Sequence, residues 1–180
     1  LELFSKDIGP GNCLIDTWIR KNSDKKFDED GKLALSGKRN EIVFEQAQEL
    51  YANRINKHKK SFDTSDFDIS FVRGLSLEDG AATLIQFTAD TIKNSLIDYL
   101  EDNKWNKSIN ILVSGGGRKN NFLINQIKRN LITPVKLIDD LGVNGDFVES
   151  QAFAYLAIRS FLKLPITFPE TTGVKKSCTG

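Results

Sequence analysis

The sequence contains no methionine, a single histidine and only two cysteines among its 180 residues. The one histidine, His58, offers little to histidine-based catalysis. Cys13 and Cys178 stand near opposite ends of the chain, and this spacing argues against a zinc site and a disulfide framework, so we expect two free thiols in a reducing cytoplasm. Because methionine is missing and the chain starts at Leu1, we expect a fragment that lacks its upstream part.

The chain also lacks a long apolar run and an excess of charge of either sign. No stretch of about eighteen or more consecutive apolar residues occurs, so the sequence predicts no membrane span. Lys and Arg number 25 against 24 Asp and Glu. This balance argues against the strongly basic surfaces that bind nucleic acid or anionic membranes. The length predicts one domain-sized unit with its own core.

Hydrophobic periodicity predicts long helices that alternate with short strands. Behind Ser76, a helix-capping residue, apolar side chains repeat at helical spacing over about six turns. Other helices are predicted after Gly11, over 42–56, from Asn121 onward and over 147–164. Strands are predicted over 1–8, 111–113 and 135–138, and polar or surface segments over 22–31 and 57–74. The alternation predicts an α/β layer structure.

A glycine triplet follows the predicted strand at 111–113. Gly115, Gly116 and Gly117 lead to Asn120 and the start of a helix. A strand, a glycine turn and a helix N-terminus form a frequent nucleotide-facing arrangement, because exposed backbone N–H groups favour anions or polar rings. A tight turn that binds nothing is the alternative, and the motif alone does not separate the two.

Two carboxylates stand where a ligand site could form. Asp7 lies beside the turn Gly9-Pro10-Gly11-Asn12, where glycines admit a ligand and the following helix directs its positive end at negative charge. Capping of that helix is the alternative role of Asp7. Glu149 opens the helix predicted over 147–164, and its alternative role is a favourable interaction with the helix dipole. No metal site built from protein side chains is predicted.

Three segments together resemble one family, the 1,6-anhydro-N-acetylmuramic acid kinases of the actin and sugar-kinase superfamily. Asp7-Ile8-Gly9-Pro10-Gly11-Asn12, followed by Asp16-Thr17-Trp18, is similar to the family's Asp-x-Gly-Pro-Gly-Asn…Asp-x-Trp signature. Ser114-Gly115-Gly116-Gly117 with Asn120 is similar to its glycine triplet, and Glu149-x-x-Ala152-Phe153-Ala154 is similar to its Glu-x-x-Ala-Phe-Ala helix. The order and spacing make the resemblance specific.

The resemblance implies an actin-like, ribonuclease H-like lobe and an enzyme of peptidoglycan recycling that uses ATP and Mg²⁺. Such kinases hydrolyse the 1,6-anhydro bond of anhydro-N-acetylmuramic acid and phosphorylate O6, giving N-acetylmuramic acid 6-phosphate. Asp7 would be the general base for the attacking water, and Asn12 and Glu149 would bind the sugar. Gly9, the glycine triplet and Asn120 would bind the nucleotide.

The resemblance covers the C-terminal half of the family, whose phosphate loop lies upstream of Asp7. Residues 1–8 would end an upstream lobe or a hinge strand, and residues 9–180 would form the C-terminal lobe. We therefore expect this chain alone to be inactive. A small-molecule sugar substrate, a cytoplasmic location and a homodimer are compatible with the family, without nucleic acid or membrane partners. Another actin-like sugar or acetate kinase and a non-catalytic nucleotide-binding module remain alternatives.

Overall fold

The computed structural model describes residues 5–55, 64–102, 109–131 and 133–180. Within these ranges the strands are β1 (Ile111–Val113) and β2 (Val135–Leu137). The helices are α1 (Cys13–Asn22), α2 (Lys32–Ser36), α3 (Glu41–Ile55), α4 (Leu77–Asp102), α5 (Asn121–Asn130), α6 (Val148–Phe161) and α7 (Pro169–Thr172). Short 3₁₀ turns occur at Glu29–Gly31, Thr64–Asp66, Ser70–Val72, Gly116–Lys119 and Ile138–Leu141. The prediction of an α/β structure is confirmed.

Helix α4 forms the centre of the core, and α1, α2, α3 and α5 all pack against it. Ser76 caps it as predicted, because the Ser76 hydroxyl oxygen accepts a hydrogen bond from the backbone N–H of Asp79 at 3.1 Å. The predicted apolar repeat is buried along the first half of the helix, at Ala81, Leu84, Ile85 and Thr88. The predicted face of α1 is buried in the same core, at Leu14, Ile15, Trp18 and Ile19.

A close approach in this core joins α1 to α4. The Trp18 indole lies over Gly80 so closely that a Cβ atom on Gly80 would overlap the ring. The indole N–H also donates a hydrogen bond to the carbonyl oxygen of Leu77 at 2.9 Å. Trp18, which belongs to the first motif, therefore fixes the position of α1 along α4.

The two strands and α5 form a β–α–β unit. β1 and β2 pair in parallel, with Ile111 opposite Val135 and Val113 opposite Leu137. Parallel strands need a crossover connection, and α5 provides it. The second strand ends one residue before the predicted Ile138, because a 3₁₀ turn begins there.

The prediction of a polar loop over 22–31 misses a buried carboxylate. Asp28 accepts hydrogen bonds from the backbone N–H groups of Leu33 and Ala34 at 2.8 and 3.0 Å. These bonds satisfy N–H groups at the start of α2, a helix that the sequence did not predict.

The prediction of a surface segment over 57–74 is wrong for the part that can be compared, and residues 56–63 lie outside the described residues. Phe67, Ile69 and Val72 are buried. The Phe67 ring stacks on Tyr51 with a centroid distance of 5.5 Å. This segment therefore contributes side chains to the core beside α3.

Other boundaries differ from the predictions. Residues 5–8 form no strand, and residues 1–4 lie outside the described residues. Helix α3 is present, but Ile42 and Leu50 are exposed while Phe44 and Ala47 are buried. Beyond α6 the chain contains α7 and an isolated antiparallel bridge between Thr167 and Cys178.

Helix α6 is rich in apolar residues but buries none of its side chains against the described residues. Phe153, Tyr155, Ile158 and Phe161 are each more than half exposed. The helix ends at Phe161 rather than at 164, and Lys163 adopts a left-handed φ of 56°. No helix in the described part of the chain is both long and apolar enough to cross a bilayer.

We expect the substitution Gly80→Ala to destabilise the protein. A Cβ atom at this position overlaps the Trp18 ring, and overpacking of this kind costs about 1–3 kcal/mol. This cost outweighs the gain of about 1 kcal/mol in helix propensity, so the free energy of unfolding should fall by up to about 2 kcal/mol. Urea-induced unfolding measures the change.

Asn94→Ala is the matched control, because Asn94 is exposed on the same helix. It should leave stability unchanged or raise it by a few tenths of a kcal/mol. Equal stability of the two variants would contradict the close packing of Trp18 on Gly80.

Candidate functional site

The segment that carries Asp7 lies along the C-terminal half of α4. The carbonyl oxygen of Ile8 accepts a hydrogen bond from the Ser95 hydroxyl at 3.1 Å. A Cβ atom on Gly9 would lie 3.3 Å from Cγ2 of Thr91, so the backbone here runs close to the helix. Asp7 itself is exposed. The segment thus holds an accessible carboxylate just before the N-terminus of α1.

Asn12 brings this segment to the glycine triplet. It occupies the N-cap position of α1, but its side chain makes no capping hydrogen bond. Its amide oxygen lies 3.6 Å from the position that a Cβ atom on Gly117 would take. The same oxygen is buried and has no hydrogen-bond partner among the described residues. A buried polar atom without a partner is costly, which suits a group that receives a donor from a ligand.

The glycine triplet forms an open turn at the C-terminal end of β1. Gly115 has a φ of +77°, a conformation that side chains disfavour. Apart from its chain neighbours, a Cβ atom on Gly115 or Gly116 would have no heavy atom of the described residues within 4 Å. The backbone is therefore accessible to a ligand at the end of the strand, where ligands of parallel sheets usually bind.

Asn120 lies below this turn and is only 3% exposed. Its side-chain oxygen accepts a hydrogen bond from the backbone N–H of Leu123 at 3.0 Å and so caps α5. The structure thus gives Asn120 a structural role as an N-cap. A direct contact with the nucleotide stays a prediction.

Glu149 is the second residue of α6 and is exposed. Its carboxylate makes no hydrogen bond or ion pair with another described residue. An acidic residue in the first turn interacts favourably with the helix dipole, so both roles considered for Glu149 remain compatible with its position.

A charge cluster that the sequence did not predict connects the glycine turn to α6. The Arg118 side chain is only 6% exposed and lies between two carboxylates. Its Nε donates to Asp139 Oδ2 at 2.7 Å, and one of its terminal nitrogens donates to Asp146 Oδ1 at 2.8 Å. The same nitrogen donates to the carbonyl oxygen of Gly115 at 3.0 Å. Lys119 also pairs with Asp146, at 2.8 Å.

The cluster shifts the pKa values of Arg118, Asp139 and Asp146 in the direction that strengthens their pairing. Hydrogen bonds from Arg118 lower the pKa of Asp139 to about 2 and hold the pKa of Asp146 below its usual range. The same bonds to Asp139, and then to Asp146, raise the pKa of Arg118. The cluster therefore stays ionised throughout the neutral range.

Only a weak sequence signal pointed to this cluster. Arg118 follows the glycines directly, but its partners lie 21 and 28 residues away in the chain. No rule of local spacing connects positions at that separation.

Asp16 of the first motif is half-buried on α1. Burial raises the pKa of its carboxyl group; the positive charge of Arg20 opposes this shift, and the negative charge of Asp28 adds to it. In the described part of the chain, no group of three or more His, Cys, Asp or Glu side chains could hold a metal ion.

Comparisons with known proteins agree on one family. Residues 2–180 match the family model described as anhydro-N-acetylmuramic acid kinase. The chain is 50% identical over 181 residues to the anhydro-N-acetylmuramic acid kinase of Pelagibacter ubique, covering 99% of this chain and 48% of that protein. The kinases of Zymomonas mobilis and Caulobacter vibrioides are 38% and 39% identical, each over 99% of this chain and 47% of the relative. The chain thus spans about half the length of these curated relatives.

We expect the stability of the protein to fall in acid because of Asp139. Its folded-state pKa of about 2 lies below the ordinary value of 3.8, so the unfolded chain takes up the proton first as the pH falls. The pairing therefore contributes fully above about pH 5 and is lost progressively toward pH 2. Urea unfolding between pH 7 and pH 2.5 should show a smaller pH dependence in Asp139→Asn than in the parent.

Asp24→Asn is the control for this measurement, because Asp24 is exposed and the substitution removes the same charge. It should keep the pH dependence of the parent protein. If Asp139→Asn keeps it as well, Asp139 is not paired in the folded state.

Proposed function

Because the chain belongs to the anhydro-N-acetylmuramic acid kinase family, we propose that it is the C-terminal part of an ATP-dependent kinase that opens and phosphorylates anhydro-N-acetylmuramic acid. In this proposal the product is N-acetylmuramic acid 6-phosphate, formed during cell-wall recycling in the cytoplasm. Residues 1–8 end an upstream lobe or a hinge, and residues 9–180 form a lobe of actin-like fold. The observation that carries the proposal is the proximity of the two glycine-bearing motifs: the Asn12 amide oxygen, which has no hydrogen-bond partner among the described residues, lies beside Gly117.

The nucleotide side of the site consists of Gly9 and the glycine triplet, with Asn120 fixing the helix behind it. The open space at Gly115 and Gly116 supports this assignment, because a ligand can reach the backbone there. Mg²⁺–ATP, when bound, supplies the phosphoryl group and neutralises its charge. Mg²⁺ usually binds through phosphates and few carboxylates, which is compatible with the described residues.

The sugar side of the site consists of Asp7, Asn12 and Glu149. Asp7 accepts a proton from a water molecule whose oxygen bonds to the anomeric carbon, as a carboxylate does in inverting glycoside hydrolysis. The bond between the anomeric carbon and O6 breaks, and the freed O6 receives the phosphoryl group. Asn12 and Glu149 orient the sugar hydroxyl and amide groups. The accessibility of Asp7 supports its role as a base.

The cytoplasmic location and the assembly state belong to the same proposal. Cys13 and Cys178 are both free thiols, which is typical of a reducing compartment. A homodimer is compatible with the family and is tested by light scattering of the full-length protein.

The mass of the product tests the proposed reaction. The full-length protein that carries this chain is incubated with anhydro-N-acetylmuramic acid and Mg²⁺–ATP, and the chain alone is incubated in parallel. We expect the sugar to gain one water and one phosphoryl group with the full-length protein only. Nucleotide binding without any change in the sugar would favour a non-catalytic nucleotide-binding module, and phosphorylation of other sugars or acetate would favour a different actin-like kinase.

Asp7→Asn in the full-length protein should lower kcat by about 10²–10⁴-fold, the usual contribution of a positioned base. The amide keeps the shape of the side chain but cannot take the proton, so the KM for the sugar should change little. Steady-state kinetics measure both constants, and Asp24→Asn is the matched control. A large rise in KM with an unchanged kcat would assign Asp7 to binding instead of proton transfer.

Gly116→Ala should weaken nucleotide binding without lowering the stability of the fold. Apart from its chain neighbours, a Cβ atom at this position would have no atom of the described residues within 4 Å, so the urea midpoint should stay unchanged. A nucleotide against this backbone would be displaced, and the KM for ATP should rise about tenfold, equivalent to an overpacking cost of about 1.4 kcal/mol. An unchanged KM for ATP would place the nucleotide elsewhere.

A further inference from the structure

We propose that Arg118 is a positioning residue that sets Glu149 relative to the glycine turn, and so couples the sugar side of the site to the nucleotide side. This inference rests on the proposed function above. It concerns a residue that contacts neither substrate in that proposal and acts through the groups that it holds.

The hydrogen bonds of Arg118 leave little capacity for a ligand. A guanidinium group has five N–H donors. Two of them reach the Asp139 carboxylate, at 2.7 and 3.2 Å. Two more reach Asp146 and the Gly115 carbonyl, at 2.8 and 3.0 Å. Because the side chain is also buried, Arg118 is committed to protein groups, and phosphate binding is not its task.

The two ends of this connection lie on the two sides of the proposed site. The Gly115 carbonyl belongs to the turn that would face the nucleotide. Asp146 lies three residues before Glu149, on the segment that starts α6. One guanidinium nitrogen contacts both groups, so a shift of either segment requires the other to follow.

Short-range hydrogen bonds connect the backbone at Asp146 to the first turn of α6, which contains Glu149. The backbone N–H of Asp146 donates to the Asn144 side chain at 3.0 Å, and that of Phe147 donates to the Asn144 carbonyl at 3.1 Å. The Phe147 carbonyl then accepts the N–H of Gln151 at 2.8 Å, within the first turn of α6. These hydrogen bonds hold the backbone at Asp146 and Phe147, just before Glu149, and at Gln151, just after it.

The loop on the other side of Asp146 is held by the same arginine. The backbone N–H of Gly145 donates to Asp139 at 3.3 Å. A side chain at Gly145 would collide with the Arg118 guanidinium. The carboxylate of Asp139, the backbone of Gly145 and the carboxylate of Asp146 thus form one cradle around Arg118, and this cradle is continuous with the N-terminus of α6.

A double-mutant cycle between Arg118 and Glu149 tests the inference in the full-length protein. Dissociation constants for the anhydrosugar and for ATP are measured by calorimetry in the parent, Arg118→Lys, Glu149→Gln and the double variant. Lysine keeps the charge but cannot span both carboxylates and the Gly115 carbonyl. We expect Arg118→Lys to weaken sugar binding by about 10- to 100-fold, as small displacements of a positioned group do.

The pattern of additivity separates positioning from simple stabilisation. If Arg118 acts on the sugar through Glu149, the double variant binds the sugar no more weakly than Glu149→Gln alone. For ATP the effect of Arg118→Lys persists in the Glu149→Gln background, because the contact with Gly115 does not pass through Glu149. Two results would overturn the inference. One is a double variant whose loss of sugar affinity equals the product of the two single losses, and the other is a sugar affinity that Arg118→Lys leaves unchanged.

Two further variants guard against a general loss of structure. Asp146→Asn leaves Arg118 its bonds to Asp139 and Gly115, and it should give a smaller loss of sugar affinity with ATP affinity retained. Arg39→Lys removes a comparable two-bond pairing, with Glu41 at 3.0 and 2.6 Å, and should alter neither constant. A parent protein that binds no anhydrosugar would overturn the proposed function, and this inference with it, before any variant is compared.

Discussion

The fold depends on the burial of α4, because each of the four helices around it gains its position from contact with this one element. Its 26 residues extend about 39 Å, and its first half is apolar on the side that meets α1, α2 and α5. The packing of Trp18 on Gly80 fixes the position of α1. Thr83 fixes the start of α3, because its hydroxyl oxygen accepts a hydrogen bond from the backbone N–H of Asn40 at 3.0 Å. Close packing and one buried hydroxyl therefore set the geometry from which the site segments extend.

The elements predicted from sequence are those whose evidence is local. The helical repeat of α4, its cap at Ser76 and the apolar run of β1 each require only neighbouring residues, and all three are present. The missed features depend on partners distant in the chain or on short segments without a period. Asp28 looked like one member of a polar run, and its burial follows from α2. Phe67, Ile69 and Val72 have no helical or strand spacing, and only the space beside α3 explains why they are buried.

The candidate site divides in the same way. Family motifs indicated Asp7, Asn12, the glycine triplet and Glu149 as candidates, and the structure adds that the Asn12 side chain lies beside the glycine turn. No motif indicated that Arg118 would be buried, because an arginine next to glycines on a surface loop is ordinarily solvated. Its burial becomes favourable only when two carboxylates converge on it. Resemblance thus indicates candidate ligand-binding residues, whereas the residues that hold those candidates in place are found only from three-dimensional contacts.

The exposure of α6 has a thermodynamic consequence. A helix of 14 residues is at the length where isolated helices are marginal in water, and the described residues bury none of its side chains. Each large side chain that a covering surface fully buries would add about 1.5–3 kcal/mol to the ordering of α6. Glu149 lies in the first turn of α6. If a covering surface has already ordered the helix, a ligand held by Glu149 binds with a smaller loss of conformational entropy. Binding of a covering surface to α6 and binding of a ligand at its N-terminus are then linked equilibria. Each event raises the affinity for the other.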